Sequence, residues 1–284
     1  MTNKSKGSFS LLNPKEKIFE EIKTQMPNWW IQLRNDNELY IDIRKDNSIN
    51  VYYFGGSIAR IQFKNDFVAE IHQKYLGDLT PRGKTKKGKD KFEYDQINLS
   101  LLDKQSIEKI KERIKKEYLK NINNEKPAEK WIQGKLITEK SNYIDSEFQF
   151  NQNPKIGKLR IDLVELLSGE LSFVELKGIT DTRLRNDEKR NINVPEIIEQ
   201  MEKYKLFIKL YENDIKQYYE KLLEIKQDLK LTTIIKTEFN VSKNPKLIII
   251  DTYKKMTEKR KERIFDIKKL LENYGIDYVI KKIE

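Results

Sequence analysis

Two carboxylates and a lysine between residues 159 and 178 are of the types that hold a divalent cation beside a phosphate. Asp162 lies in one apolar run, and Glu175 and Lys177 lie in the next. Ser168-Gly169 separates the runs, which is typical of a β-hairpin with a two-residue turn. With this turn Asp162 lies directly opposite Glu175, their Cβ atoms about 5 Å apart. Lys177 lies two residues beyond Glu175 and therefore shares its face.

Like charges directly across a β-ladder are destabilising, so this carboxylate pair needs a compensating charge. Mg²⁺ would supply it, because this ion binds one or two carboxylates, keeps several waters and meets its substrate through phosphate oxygens. Lys177 would then steady a phosphate or the attacking water. A hairpin whose charges are only solvated is the alternative, but both faces are too apolar for a surface ribbon, which favours strands inside an α/β sheet.

The register of the hairpin decides whether the carboxylates meet. A slip of one residue would set Asp162 against Leu176 and send the two carboxylates to different faces. The register with Ser168-Gly169 as the turn gives four chemically matched cross-strand pairs, so the sequence favours it.

The spacing Ile161-Asp162, twelve intervening residues, then Glu175-Leu176-Lys177 resembles the core motif of the PD-(D/E)XK nuclease superfamily. An apolar residue at the proline position is similar to the RecB-type branch. The resemblance implies that Asp162, Glu175 and the backbone carbonyl of Leu176 bind Mg²⁺ or Mn²⁺, and that Lys177 assists the nucleophile. It also implies an α/β fold with a restriction-endonuclease-like core, that is, a mixed central sheet flanked by helices.

The helix predicted over residues 128–140 supplies a further candidate ligand. Members of the family often carry a glutamate on this helix that reaches the same metal, and Glu129 is the candidate, with Glu139 the alternative. An acidic residue near a helix N-terminus is also simply stabilised by the helix dipole. These two interpretations of Glu129 stand level on the sequence alone.

A second helix, predicted to start near Pro195, places Gln200 and Tyr204 one turn apart on the same side. This pair resembles the Gln-x-x-x-Tyr signature of RecB-type nucleases, in which both side chains help to hold the DNA strand. Tyr204 also belongs to an apolar stripe, so a purely structural role is the alternative.

The remaining elements predict a nuclease-like domain over residues 125–284. Strands are expected at 143–150 and 246–251, and a helix is expected at 257–274 before a final strand. A second apolar-periodic stretch near 213–243 is interpreted as a helical insertion. Residues 1–95 form a small N-terminal α+β domain of unknown role, with three predicted strands, and 96–124 form a basic linker whose helix is capped by Asp103.

Residues 81–92 hold six Lys or Arg and one acid, which predicts a phosphate clamp. A Lys-rich composition with a formal net charge of +11 is the alternative explanation. The single histidine, His72, is interpreted as an ordinary helix residue rather than a ligand. The candidate nucleic-acid-binding residues of this loop are Arg82, Lys84, Lys86, Lys87 and Lys89.

The composition excludes several classes. The chain has no cysteine, so disulfides, thiolate zinc sites and iron–sulfur clusters are excluded. No apolar run approaches the ~18 residues of a membrane span, and we expect a cytoplasmic protein without membrane contact. No Walker A motif is present.

The sequence therefore predicts a divalent-metal-dependent deoxyribonuclease with DNA as its partner. A possible protein partner or homodimer is left open, as are strand preference and the choice between endonuclease and exonuclease. The alternative is a catalytically silent or partner-gated nucleic-acid-binding module of the same fold.

Overall fold

The structure is a computed structural model that describes Phe9 and residues 11–99, 102–119, 128–186, 194–234 and 238–282. It is an α/β protein with one antiparallel and one mixed sheet, both flanked by helices. The described helices are α1 (Lys17–Gln25), α2 (Asn28–Asn35), α3 (Gln73–Leu76), α4 (Lys104–Leu119), α5 (Glu129–Glu139), α6 (Glu196–Asp228) and α7 (Glu258–Asn273).

The first sheet is an antiparallel meander of five strands in sequence order. Its strands are β1 (Leu39–Ile43), β2 (Ile49–Tyr53), β3 (Gly56–Phe63), β4 (Phe67–His72) and β5 (Tyr94–Asn98). Only the first three were expected. The interpretation of His72 as a helix residue is wrong, because Phe67, Ala69 and Ile71 alternate with less buried residues and so form a strand that His72 ends. His72 then caps α3, its ring accepting a hydrogen bond from the Lys74 backbone N–H at 3.3 Å.

The second sheet has the strand order β11-β10-β8-β7-β6, with β9 beside β8. Strands β6 to β8 are antiparallel to one another, whereas β8 runs parallel to β9 and β10, and β10 parallel to β11. Its strands are β6 (Tyr143–Phe150), β7 (Leu159–Leu167), β8 (Glu170–Gly178), β9 (Asn240–Val241), β10 (Lys246–Asp251) and β11 (Tyr278–Lys282).

The β7–β8 hairpin has the predicted register. Leu167 pairs with Glu170, and the ladder runs inward to Leu163 opposite Val174. Ser168 and Gly169 form the turn with φ of 52° and 77°, which is the twist that a two-residue hairpin requires. Because the register is set at this turn, it also determines which residues meet at the far end of the hairpin.

Helix α6 is a single element of 33 residues, interrupted by non-helical dihedral angles at Tyr211. The insertion expected near 213–243 is, over the described residues, the second half of this helix followed by a loop. Its apolar stripe, which includes Ile215, Tyr219 and Leu222, is buried in the main core.

The main hydrophobic core contains residues from both sheets. Trp30 and Ile49 from the N-terminal part belong to the same cluster as Phe148, Phe173 and Phe207. The predicted domain division near residue 125 lies outside the described residues and stays a prediction. The two sheets nevertheless share one core.

Helix α5 lies directly on the turn between β2 and β3. A Cβ atom added to Gly134 of α5 would lie 2.5 Å from the Cα atom of Phe54, and one added to Gly55 would lie 2.1 Å from the carbonyl oxygen of Lys130. Only glycine permits these backbone approaches. The first sheet therefore fixes where the N-terminus of α5, and with it Glu129, is placed.

Candidate active site

A pocket of about 640 Å³ opens at the end of the β7–β8 hairpin opposite its turn. Helices α5 and α6 both begin at this pocket, and the loop after β8 forms part of its wall. Its lining residues are Glu129, Lys158, Leu159, Arg160, Asp162, Glu175, Lys177, Arg183, Glu196, Glu199, Gln200, Lys203 and Tyr204.

Side chains replace the backbone ladder where the paired part of the hairpin ends. The Asp162 carboxylate accepts a hydrogen bond from the Leu176 backbone N–H at 2.9 Å, and the Asp162 carbonyl accepts one from Gln133 Nε2 at 2.5 Å. The Arg160 carbonyl accepts a hydrogen bond from the Tyr204 hydroxyl at 2.8 Å. Buried backbone groups are thus satisfied while the two strands separate, and this separation makes room for the acidic side chains.

The three motif side chains are buried together. Asp162, Glu175 and Lys177 are 6%, 2% and 1% exposed. The Lys177 ammonium contacts the Glu175 carboxylate and lies 3.0 Å from the carbonyl oxygen of Leu176. It therefore lies between two of the oxygens that the resemblance assigns to a metal. One ammonium against two carboxylates leaves this group with an excess of negative charge.

The protonation of Asp162 reflects that excess. Burial, followed by the negative charge of Glu175, raises the pKa of Asp162 to about 8, although Lys177 and the Leu176 N–H act in the opposite direction. At neutral pH this carboxyl group therefore keeps its proton unless another positive charge arrives. The donor set of two carboxylates and one carbonyl fits a hard divalent cation.

Tyr204 holds Glu175 from the side of α6. Its ring is fully buried, and its hydroxyl lies 2.5 Å from Glu175 Oε2 and accepts a hydrogen bond from Gln200 Nε2 at 3.1 Å. Burial and the charge of Glu175 raise the pKa of Tyr204 far above its usual value, so the phenol stays protonated and can donate. Gln200, which is half-buried, lines the pocket beside it.

The structure brings Glu129, and not Glu139, to the pocket. Glu129 is the first residue of α5, and its carboxylate lies 3.8 Å from Arg183 Nη2. Glu139 lies at the other end of the helix, 3.6 Å from the ammonium of Lys135. Among the described residues, no three histidine, cysteine, aspartate or glutamate side chains form a group that could hold a metal ion, so the metal role of Glu129 stays a prediction.

Sequence reasoning missed Arg183 and Gln133. Arg183 follows β8 in a short 3₁₀ turn at Thr182–Leu184, and Gln133 lies within α5. The available signal for Arg183 was the Asp181-x-Arg183 pair directly after a strand whose end carries the motif. Gln133 gave no signal, because its role depends on how α5 packs on β7.

Residues 81–92, here called the basic hairpin, do not line the pocket. They form an exposed ribbon in which the Arg82 N–H donates to the Lys91 carbonyl at 2.9 Å and the Thr85 N–H donates to the Lys89 carbonyl at 2.7 Å. Two of the five candidate phosphate ligands are already in ion pairs. Arg82 pairs with Asp95 and Lys84 with Asp90, while Lys86, Lys87 and Lys89 form no ion pair in the described part of the chain.

No family model, curated protein or solved structure matches this chain. Within the described residues, no helix is both long and apolar enough to cross a membrane.

Proposed function

We propose that this protein is a divalent-metal-dependent nuclease of the PD-(D/E)XK type, with a restriction-endonuclease-like core, that hydrolyses phosphodiester bonds in DNA. One observation carries the proposal. Side chains from four separate elements, selected from the sequence for their likeness to one motif set, line a single pocket. They are Glu129, Asp162, Glu175, Lys177, Gln200 and Tyr204.

Asp162, Glu175 and the Leu176 carbonyl would hold Mg²⁺ or Mn²⁺, with Glu129 as a further ligand. When bound, such a cation polarises a phosphate and lowers the pKa of a coordinated water. The protein itself supplies the buried carboxylates that attract the cation, and the bond from Tyr204 that orients Glu175. Lys177, released from Glu175, would direct its ammonium toward the attacking water or the phosphate.

Cleavage of single-stranded and plasmid DNA, with Mg²⁺, Mn²⁺ or excess chelator, tests the proposal. Asp162→Asn and Glu175→Gln should abolish cleavage and the increase in melting temperature that Mn²⁺ gives to the wild type. Glu170→Gln is the matched control, because Glu170 is an exposed glutamate on the same strand. Activity in chelator, or wild-type activity in either pocket variant, would refute the metal assignment.

The alternative function, a catalytically silent or partner-gated nucleic-acid-binding module, is favoured by the contact of the Lys177 ammonium with Glu175. Lys177→Ala separates the two functions. In a nuclease it should lower the single-turnover cleavage rate by orders of magnitude and leave DNA affinity nearly unchanged, since one phosphate contact among many contributes little. Wild-type protein that binds DNA and cleaves none with any metal would instead support the binding module.

A further inference from the structure

The turn after β8 is held rigidly at the rim of the pocket. Ile179 donates its backbone N–H to the Ile250 carbonyl at 2.8 Å, and Leu184 anchors the end of the turn in a second apolar cluster. Arg263 of α7 braces the turn from behind, with its Nε donating to the Ile179 carbonyl at 3.1 Å. A side chain on this turn is therefore presented in a fixed direction.

Arg183 projects from this turn into the pocket with its guanidinium already oriented. Nε donates to Asp181 Oδ1 at 3.0 Å and Nη2 donates to Asp181 Oδ2 at 2.6 Å, a two-point pairing that fixes the plane of the group. Its side chain is 37% exposed. Within the described part of the chain, Nη1 donates no hydrogen bond, so one edge of the guanidinium remains available to a ligand.

Stability alone does not account for this arginine. Asp181 already caps the turn by accepting a hydrogen bond from the Arg183 backbone N–H at 2.8 Å, and an ion pair this exposed contributes only about 0–1 kcal/mol. Hydrogen bonds to Asp181 and its charge raise the pKa of Arg183 further, so the group is cationic at every working pH. A fixed guanidinium with a free edge is suited to a phosphate, which accepts paired N–H donors.

We propose that Arg183 forms a phosphate subsite beside the carboxylate pair, where it binds one backbone phosphate of a nucleic-acid strand. The inference rests on the proposed function only in taking that phosphate to belong to a nucleic acid. The subsite lies on the β8 side of the pocket, facing Glu129 of α5. Asp181 sets its geometry and Arg263 sets its position.

The affinity of a short thymidine oligonucleotide, measured by fluorescence anisotropy in chelator across a series of salt concentrations, tests the subsite. Arg183→Gln should weaken binding roughly 10- to 100-fold, as expected for the loss of a charged hydrogen-bonded contact. The slope of log affinity against log salt should become shallower by about 0.7, the value for one phosphate on a single strand. Arg183→Lys should keep the slope and lose part of the affinity, because lysine lacks the planar fork.

Arg185→Gln is the matched control. Arg185 is exposed on the same turn but lines a different cavity, so its slope and affinity should stay at the wild-type values. If Arg183 only neutralises Glu129, the double variant Glu129→Gln/Arg183→Gln would recover the wild-type slope. A phosphate subsite predicts no recovery.

Four results overturn the inference: an unchanged slope in Arg183→Gln, an equal loss in Arg185→Gln, recovery in the double variant, or no binding of oligonucleotide by the wild type. These outcomes are separate from cleavage. Loss of the slope in Arg183→Gln, together with no cleavage by the wild type under any metal, supports the subsite and refutes the proposed nuclease.

Discussion

Tyr204→Phe removes one oxygen atom from the centre of the pocket while keeping a fully buried aromatic ring. The lost hydroxyl contacts Glu175 Oε2 at 2.5 Å, the Arg160 carbonyl at 2.8 Å and Gln200 Nε2 at 3.1 Å. A phenol has a single hydrogen for the two acceptors. A bond to a carboxylate contributes about 1.5–3 kcal/mol, and a buried acceptor left without its donor costs about 1–3 kcal/mol.

We therefore expect Tyr204→Phe to lower the free energy of unfolding by about 2–4 kcal/mol in urea denaturation. For a chain of this size the melting temperature should fall by roughly 5–15 °C. Glu175 would lose its lateral support, so the single-turnover cleavage rate should fall about tenfold or more, in line with the cost of misplaced catalytic groups. DNA affinity should stay within about twofold, since the ring is not exposed to substrate.

Tyr211→Phe on the same helix is the matched control. Its hydroxyl accepts one neutral hydrogen bond from Asn153 Nδ2 at 3.0 Å and lies outside the pocket. We expect a loss of only about 0.5–1.5 kcal/mol and full activity. Equal stability of the two variants, with unchanged cleavage in both, would refute the idea that the Tyr204 hydroxyl holds Glu175.

Three further perturbations follow from the structure. Burial and a neighbouring negative charge raise the pKa of Asp145 to about 7, so the unfolded chain releases this proton first and the free energy of unfolding should fall between pH 3.8 and about 7. Asp145→Asn should flatten that part of the pH profile in urea denaturation. Gly134→Ala should destabilise the protein and reduce activity, because its Cβ atom would meet the β2–β3 turn. Replacing the three unpaired lysines of the basic hairpin with glutamine should lower the salt dependence of DNA binding by up to ~0.9 per phosphate on duplex DNA, without loss of cleavage on saturated substrate. These lysines are Lys86, Lys87 and Lys89.

Each of these expectations has a contradicting result. A pH profile with the same slope in Asp145→Asn would show that another group titrates. A fully stable and active Gly134→Ala would show that α5 moves away from the turn at no cost. An unchanged salt slope in the triple variant would make the charge of the basic hairpin a feature of composition only.

The parts of the site that the sequence predicted are those set by local rules. A two-residue turn at Ser168-Gly169 determines the register, and the register determines that Asp162 and Glu175 meet. Helical spacing of four places Gln200 and Tyr204 on one side. The signals for these features all lie within about one element of each other in the chain.

The parts that were missed depend on contacts between distant segments. Strand β5 has a weak pattern, Tyr94–Asn98, in which the more buried positions are only half-buried, so hydrophobic periodicity did not reveal it. Gln133 is polar within an apolar helix, and its bond to the Asp162 carbonyl spans 29 residues. The second half of α6 resembled an insertion because its apolar stripe matches a surface supplied partly by the N-terminal sheet.

The core shared by the two sheets limits how this protein can be divided. A fragment beginning at α5 would keep every residue of the pocket but would lose Trp30, Ile49 and the rest of the N-terminal contribution to the cluster. The apolar side of α6 around Ile215 and Tyr219 would then face water, and an exposed patch of this kind favours aggregation. The pocket is consequently not an exchangeable cassette, and in evolution the carboxylates at one end of the chain and the meander at the other would have to be inherited together.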